Sequence, residues 1–252
     1  MREVEISGHE VQVAGQPVRY QVAGLGEPVV LVHGLSGSAW WWTRSIPALA
    51  ERYRVYLVDL PGFGAMRASR RRFVLAEAAS WLLGWMEAVG LQSVHLVGHS
   101  MGGYICIRVA AHKPEVVQRL VLVDPAGVPL DRSLFGHLAP LLTEARHARL
   151  NFLTVLARDA ISAGPFTLWR AARELLAEDV REHLQAISAP TLLIWGESDA
   201  LVPASFGRIL RGEIADSRLL ILKGTGHVPM VDRPQEFNAA LLAFLGGEPV
   251  GE

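Results

Sequence analysis

Val97-Gly98-His99-Ser100-Met101-Gly102-Gly103 sets a serine between glycines directly after an apolar run, and few backbones accept that arrangement. The preceding Ser93 to Val97 is short and rich in branched apolar residues, as a buried strand is, while Tyr104 to His112 can form one helix stopped by Pro114. The serine therefore falls on a sharp strand-to-helix turn. Glycine suits positions 98 and 102, because the backbone there is strained and the two elements meet too closely for a Cβ. Such strain holds the Ser100 hydroxyl out of the turn, where chemistry can use it. A glycine-rich turn with an incidental serine is the competing reading, and the strand-turn-helix context disfavours it.

The rest of the chain supplies strands and helices in alternation around this turn. Val4 to Ile6, Val11 to Val13 and Pro17 to Ala23 read as two or three antiparallel edge strands. Pro28 to Val32 is a continuous apolar strand that ends in the polar loop His33-Gly34-Leu35-Ser36-Gly37-Ser38. Helix, strand and loop follow at Ile46 to Arg52, Arg54 to Val58 and Asp59 to Gly64; then come helix Ala76 to Val89, strand Val94 to Val97 and strand Leu120 to Val123. This is the signature of an α/β fold, a mostly parallel sheet with helices on both faces. After Asp124-Pro125-Ala126-Gly127 the rhythm breaks. Residues 128–187 read as short helices punctuated by Pro129, Pro140 and Gly164-Pro165, so the expected organisation is a core of residues 1–127 and 188–252 with an inserted helical lid. Strands at Thr191 to Trp195 and Arg218 to Leu222, with helices at Phe206 to Ile214 and Gln235 to Leu245, complete the core.

Composition narrows the function. At 252 residues and 50% hydrophobic content the chain can bury a full core, yet no run reaches the roughly 18 to 20 apolar residues that span a bilayer. The start Met1-Arg2-Glu3-Val4-Glu5 lacks the apolar stretch of a signal peptide, so the expected location is cytoplasmic. A formal charge of -1 argues against a nucleic-acid partner, and the single cysteine, Cys106, excludes an internal disulfide and reads as core. His9, His95, His112, His137, His147 and His183 show no metal-ligand spacing, and Gly62-Phe63-Gly64 lacks the third glycine of a dinucleotide fingerprint. No metal and no cofactor are expected.

A serine hydroxyl needs a base within hydrogen-bond reach and an acid to orient that base. His227, in Gly224-Thr225-Gly226-His227-Val228-Pro229, follows the last strand, and Asp199, in Gly196-Glu197-Ser198-Asp199, follows the strand before it. In a parallel sheet those loops share the carboxyl edge with Ser100, where ligands and catalytic groups gather. Asp124 also follows a strand and competes for the acid's place.

With these residues in place, the chain resembles the α/β-hydrolase family, specifically its lid-bearing esterase and C-C hydrolase members. The family's H-G-x-x-x-S-x-x-x-W is matched by His33-Gly34, Ser38 and Trp42, its G-x-x-D-x-x-x-P by Gly196, Asp199 and Pro203, and its G-H-x-P by Gly226-His227-Val228-Pro229, with Asp232 and Pro234 following. The resemblance implies Ser100 as nucleophile, His227 as base and Asp199 as orienting acid. It also implies an oxyanion hole from the backbone amides of Leu35 and Met101. His99 and His33 are expected to pack or anchor loops.

Trp40-Trp41-Trp42 stands directly after the oxyanion loop. Trp42 is expected in the core, and Trp40 and Trp41 are expected to wall an acyl pocket and bind substrate. Arg67 and Arg70-Arg71-Arg72 read as a solvated loop, with steering of an anionic substrate as the alternative. The lid offers Phe135, Leu138, Leu141, Leu142, Phe152, Leu153, Phe166, Leu168 and Trp169 for packing and an apolar underside. The expected function is a carboxylesterase acting on a small-molecule ester of short to medium chain through an acyl-enzyme. A C-C hydrolase or lactonase on the same triad is the near alternative, and a non-catalytic ligand-binding relative the remote one.

Overall fold

Strand residues of alternating direction sort onto two cores, and this sorting builds the sheet. The computed structural model describes residues 4–68, 73–129 and 150–252. Strands β1 (Ile6–Val13) and β2 (Gln16–Ala23) form an antiparallel hairpin, and β2 runs antiparallel to β4 (Tyr53–Val58). Beyond that edge every pairing is parallel. With β3 (Glu27–Val32), β5 (Val94–His99), β6 (Val117–Val123), β7 (Thr191–Gly196) and β8 (Ser217–Leu222), the order is β1-β2-β4-β3-β5-β6-β7-β8. Val30, Val32, Leu96, Leu120, Leu122 and Leu193 face helices α2 (Leu75–Val89) and α3 (Met101–His112). Val29, Leu31, Val97, Val121, Leu192 and Ile194 face α1 (Ile46–Ala50) and the closing helix. The two-residue period of a strand supplies both faces with apolar side chains.

Between β6 and β7 the described chain is helical, with α4 (Leu150–Ala163), α5 (Pro165–Leu176) and α6 (Arg181–Leu184). Gly164, at φ 79°, and Pro165 at the first helical position separate α4 from α5. Glu174 on α5 accepts the Leu75 amide at the start of α2 (3.0 Å), and the Tyr104 hydroxyl donates to Glu178 (2.6 Å). Phe152 is buried, whereas Phe166 and Trp169 are exposed, so the expected packing of the insertion does not extend to those two. Phe135, Leu138, Leu141 and Leu142, as well as Arg70 to Arg72, lie outside the described residues. After β7 come α7 (Ser205–Glu213), β8, the short α8 (Pro229–Asp232) and α9 (Pro234–Leu245). Among the described residues no helix is long and apolar enough to cross a membrane.

The junction of β5 and α3 is closely packed on both sides of Ser100. A Cβ at Gly98 would lie 2.5 Å from the Gly102 carbonyl oxygen and 2.6 Å from the Cys106 sulfur, and one at Gly102 would lie 2.4 Å from the Val32 carbonyl oxygen. Cys106 is fully buried against this junction, and burial pushes its thiol well above the ordinary range. Because backbone oxygens cannot step aside as a flexible side chain does, Gly98→Ala should cost at least the roughly 1–3 kcal/mol typical of overpacking. Thermal unfolding of the variant against the parent measures this.

Two buried histidines hold the neighbouring loops in register. His33 accepts the Leu60 amide through Nε2 (3.0 Å) and donates from Nδ1 to the Gly34 carbonyl (2.8 Å). His99 donates from Nε2 to the His227 carbonyl (2.7 Å), and its Nδ1 has no partner among the described residues. Burial, reinforced by the charge on neighbouring His227, presses the His99 imidazole down to about 3. In the unfolded chain the same group titrates near ~6.5. Between those values the unfolded state binds a proton that the folded state refuses, so stability falls as pH drops from about 6.5 toward 3, by up to ~1.4 kcal/mol per pH unit for one proton. His99→Gln, whose amide can still donate to His227, should flatten this slope in denaturant titrations run between pH 6 and 4.

Candidate active site

Ser100 sits at φ 51°, ψ −117°, a conformation that non-glycine residues seldom adopt. Its amide donates to the Val123 carbonyl (2.9 Å), and its own carbonyl accepts the amides of Tyr104 and Ala126 (3.1 Å each). Three backbone bonds therefore fix the turn. The helix begins at Met101, three residues earlier than the apolar pattern suggests, because the strained turn lets Gly102 and Gly103 enter the first helical turn against their weak propensity.

Asp199 and His227 meet because the loops after β7 and β8 are pressed together. A Cβ at Gly196 would stand 2.0 Å from the Gly226 carbonyl oxygen, and the Ser198 amide donates to the Thr225 carbonyl (2.9 Å). Asp199 Oδ1 accepts the amides of Leu201 (2.8 Å) and Val202 (2.9 Å), which aims Oδ2 at His227. His227 Nδ1 donates to Asp199 Oδ2 at 2.7 Å, and the Ser100 hydroxyl donates to His227 Nε2 at 3.0 Å. Burial pushes the Asp199 carboxyl up, but the charge and hydrogen bond of His227, the Val202 amide and neighbouring Asp124 outweigh it, leaving the group below its ordinary value. Ser100 and His227 are each only 8% exposed, so the pair works in a poorly hydrated setting. The three residues named from the sequence are thus brought into one hydrogen-bonded chain.

The loop after β3 closes on the same turn. A Cβ at Gly34 would lie 3.1 Å from Ser100 Cβ and 2.8 Å from His99 Nδ1, so the chain entering Leu35 runs against the serine. Met101 carries the first amide of α3, a position with no carbonyl one turn back to bond. Asp59 clamps this loop from outside, accepting the amides of Ala39 and Ala65 (2.7 Å each).

Asp159 is a residue that sequence reasoning missed. It projects from α4, is 3% exposed, and its Oδ2 accepts the Ser38 hydroxyl (2.6 Å) and the Trp41 indole N–H (3.2 Å). Arg158 donates to its Oδ1 (3.1 Å). In sequence it is one acid in a charge-balanced helical stretch, with no pattern to separate it from a solvated one. Asp124, the competing acid, is fully buried and accepts the Gly196 amide through Oδ1 (2.9 Å).

The tryptophans part company. Trp41 is buried, with ring centroids 5.5 Å from His99 and 5.2 Å from Phe152. Trp42 is fully buried beside Phe237. Trp40 is 57% exposed under the Arg158 guanidinium and, with Arg67, lines a crevice of about 650 Å³ whose walls include neither Ser100 nor His227. Trp40 and Trp41 thus meet different surroundings, one exposed and one buried, as successive residues of the short 3-10 turn Ala39–Trp42 project about 120° apart. Among the described residues, the one grouping of histidine and acid side chains close enough to share a cation is Asp124, Asp199 and His227, and the hydrogen bonds above already engage it.

Comparison with known proteins agrees with this geometry. Residues 29–240 match the model of the alpha/beta hydrolase family. The chain is 30% identical over 249 residues to a pimeloyl-[acyl-carrier protein] methyl ester esterase of Aeromonas hydrophila, covering 88% of this chain and 97% of that one. It is likewise 30% identical over 262 residues to a 2-hydroxy-6-oxo-6-phenylhexa-2,4-dienoate hydrolase of Comamonas testosteroni, covering 90% and 91%. Among solved structures, a membrane phospholipase A described as a bacterial virulence factor superposes with a TM-score of 0.83 at 30% identity, over 96% of this chain and 86% of that one. Fold, site geometry and relatives agree, and the chain belongs to the alpha/beta hydrolase family.

Proposed function

We propose that the protein is a serine hydrolase that cleaves carboxylic esters through an acyl-enzyme, with Ser100 as nucleophile, His227 as base and Asp199 as orienting acid. The observation that carries this reading is the unbroken chain from Ser100 through His227 to Asp199, at 3.0 and 2.7 Å. The Ser100 oxygen attacks the ester carbonyl carbon while its proton passes to His227 Nε2. Asp199, already fixed by two amides, holds the opposite ring nitrogen as an N–H donor and stabilises the imidazolium. The oxyanion that forms faces the amides of Met101 and Leu35, donors that need no reorganisation at the moment of reaction. Collapse expels the alcohol, which takes the proton from Nε2 and leaves Ser100 acylated. Water, deprotonated by His227, then releases the acid and restores the serine hydroxyl.

The helices between β6 and β7 serve in this reading as a cap over residues 128–187. In this reading Trp41, whose ring packs on His99 and Phe152, bounds the acyl side together with Phe152, which favours short to medium chains. The similarity to the Comamonas dienoate hydrolase supports a second reading, hydrolysis of a C-C bond by the same residues. Assay of p-nitrophenyl esters beside dienone acids, with identification of both products, separates the two.

Ser100→Ala should fold as the parent does and lose both ester turnover and covalent labelling by a fluorophosphonate; a variant with half the parent's turnover would overturn the assignment. Asp199→Asn should lower kcat by about three to four orders of magnitude, because the imidazole loses its correct tautomer. In a chain-length series, Trp41→Ala should move the optimum toward longer acyl groups, several-fold per carbon at ~0.8 kcal/mol per buried methylene. Trp40→Ala should leave the series unchanged.

A further inference from the structure

Asp124 has no part in the chemistry above, yet it lies beside it. Its side chain is fully buried, Asp199 is 7% exposed, and the ligand atoms of Asp124, Asp199 and His227 all fall within 4.8 Å of one another. Its backbone adopts φ 42°, which few non-glycine residues accept, although aspartate is among those that tolerate it. The Asp124 amide donates to the Ile194 carbonyl (3.0 Å) and its Oδ1 accepts the Gly196 amide, so both ends of the residue are tied to β7, the strand that delivers Asp199. This placement is built rather than incidental.

Two carboxylates so close and so poorly hydrated repel each other strongly, and the imidazole they share can balance only one of them. Among the described residues, Asp199 after β7 and His227 after β8 group with Asp124, and buried His99, bonded to the His227 carbonyl, stays neutral. The hydrogen bonds decide which carboxyl keeps the charge. Asp199 accepts two amides and the His227 N–H, three donors that favour an ionised group, whereas Asp124, within 4.8 Å of it, accepts the Gly196 amide. A proton on Asp124 removes the repulsion and gives that residue an O–H that Asp199 can accept.

We infer that Asp124 is a protonated carboxylic acid at neutral pH that donates a hydrogen bond to Asp199, so that the pair carries one negative charge and Asp124 acts as a positioning residue for the acid that orients His227. The inference rests on the reading of Ser100, His227 and Asp199 as a triad. It explains why an acid can occupy the place beside Asp199 without raising the charge around the imidazole. It also makes asparagine the faithful substitute, since its amide donates permanently where the acid donates through its proton.

Infrared difference spectra of the parent against Asp124→Asn at neutral pH should show a carbonyl band of a protonated carboxylic acid that the variant lacks. Asp124→Asn should keep kcat within about threefold and leave the acidic limb of kcat/KM in place, because no charge is removed. Asp124→Ala should lower kcat by about ten- to a hundredfold with KM unchanged, the scale of a lost hydrogen bond to a charged group. Absence of the infrared band overturns the inference, as does a shift of the acidic limb to lower pH by half a unit or more in Asp124→Asn, which would show that Asp124 carried a charge supporting the imidazolium. Equal kcat in the two variants would reduce Asp124 to an anchor for Gly196. Should Asp124→Ala fail to fold, the infrared and pH arms decide on Asp124→Asn alone. Turnover that survives Ser100→Ala would instead reject the triad reading, while the infrared band would still report on Asp124.

Discussion

At the point where β5 turns into α3, no side chain fits at Gly98 or Gly102, and the backbone of β3 lies within contact of the first helical turn. That closeness lets the Ser100 amide reach the Val123 carbonyl on β6 while its carbonyl accepts Tyr104 and Ala126. The bonds over-determine a conformation that costs on the order of 1–3 kcal/mol for a residue with a Cβ. A relaxed turn at this place would let the serine side chain fold back onto the helix. Strain and close packing together keep it directed at His227, and the geometry of the other loops is set relative to that one oxygen.

Those loops are fastened by buried polar side chains rather than by solvent. His33 bonds the Leu60 amide, Asp59 bonds Ala39 and Ala65, His99 bonds the His227 carbonyl, Asp124 bonds Gly196, and Asp159 holds Ser38 and Trp41. Most of these bonds join a side chain from one segment to the backbone of another. Each removes a polar group's need for water, which would otherwise compete at a site whose serine and histidine are nearly enclosed. Polar atoms aimed in advance are what electrostatic stabilisation of a developing oxyanion requires.

The parts legible in the sequence are those that backbone constraint dictates. Gly98 and Gly102 can be read because a Cβ there is forbidden, and the loops bearing Asp199 and His227 can be read because a parallel sheet puts every strand's carboxyl end on one edge. The division of labour between Trp40 and Trp41 could not be read, since neighbouring residues of a 3-10 turn diverge by direction and not by type. Asp159 was hidden for a different reason. A helical acid next to an arginine reads as a solvated pair, and only the tertiary docking of α4 on Ser38 turns it inward. The apolar pattern starts α2 at Ala76, one residue from the observed Leu75, whereas the cap of its first amide, Glu174, comes from a residue 99 positions away that no local pattern signals.

Asp159 also shows how the two parts of the chain divide the work. In the proposed reaction the reacting groups would all come from strand ends, where hydrogen bonds fix them, and any carbonyl presented to Ser100 would meet the same donors whatever its substituents. Under the proposed function, discrimination among substrates would fall to apolar side chains such as the neighbouring rings of Trp41 and Phe152, where one methylene is worth only ~0.8 kcal/mol. Selectivity built that way is shallow unless the walls are held rigidly, because a side chain that can yield by a fraction of an ångström accepts the next homologue. The Asp159 carboxylate supplies that rigidity. It bonds the indole of Trp41 from the helix that carries Phe152, so one buried charge joins the two rings that would bound the acyl group and ties both, through Ser38, to the loop that carries Leu35.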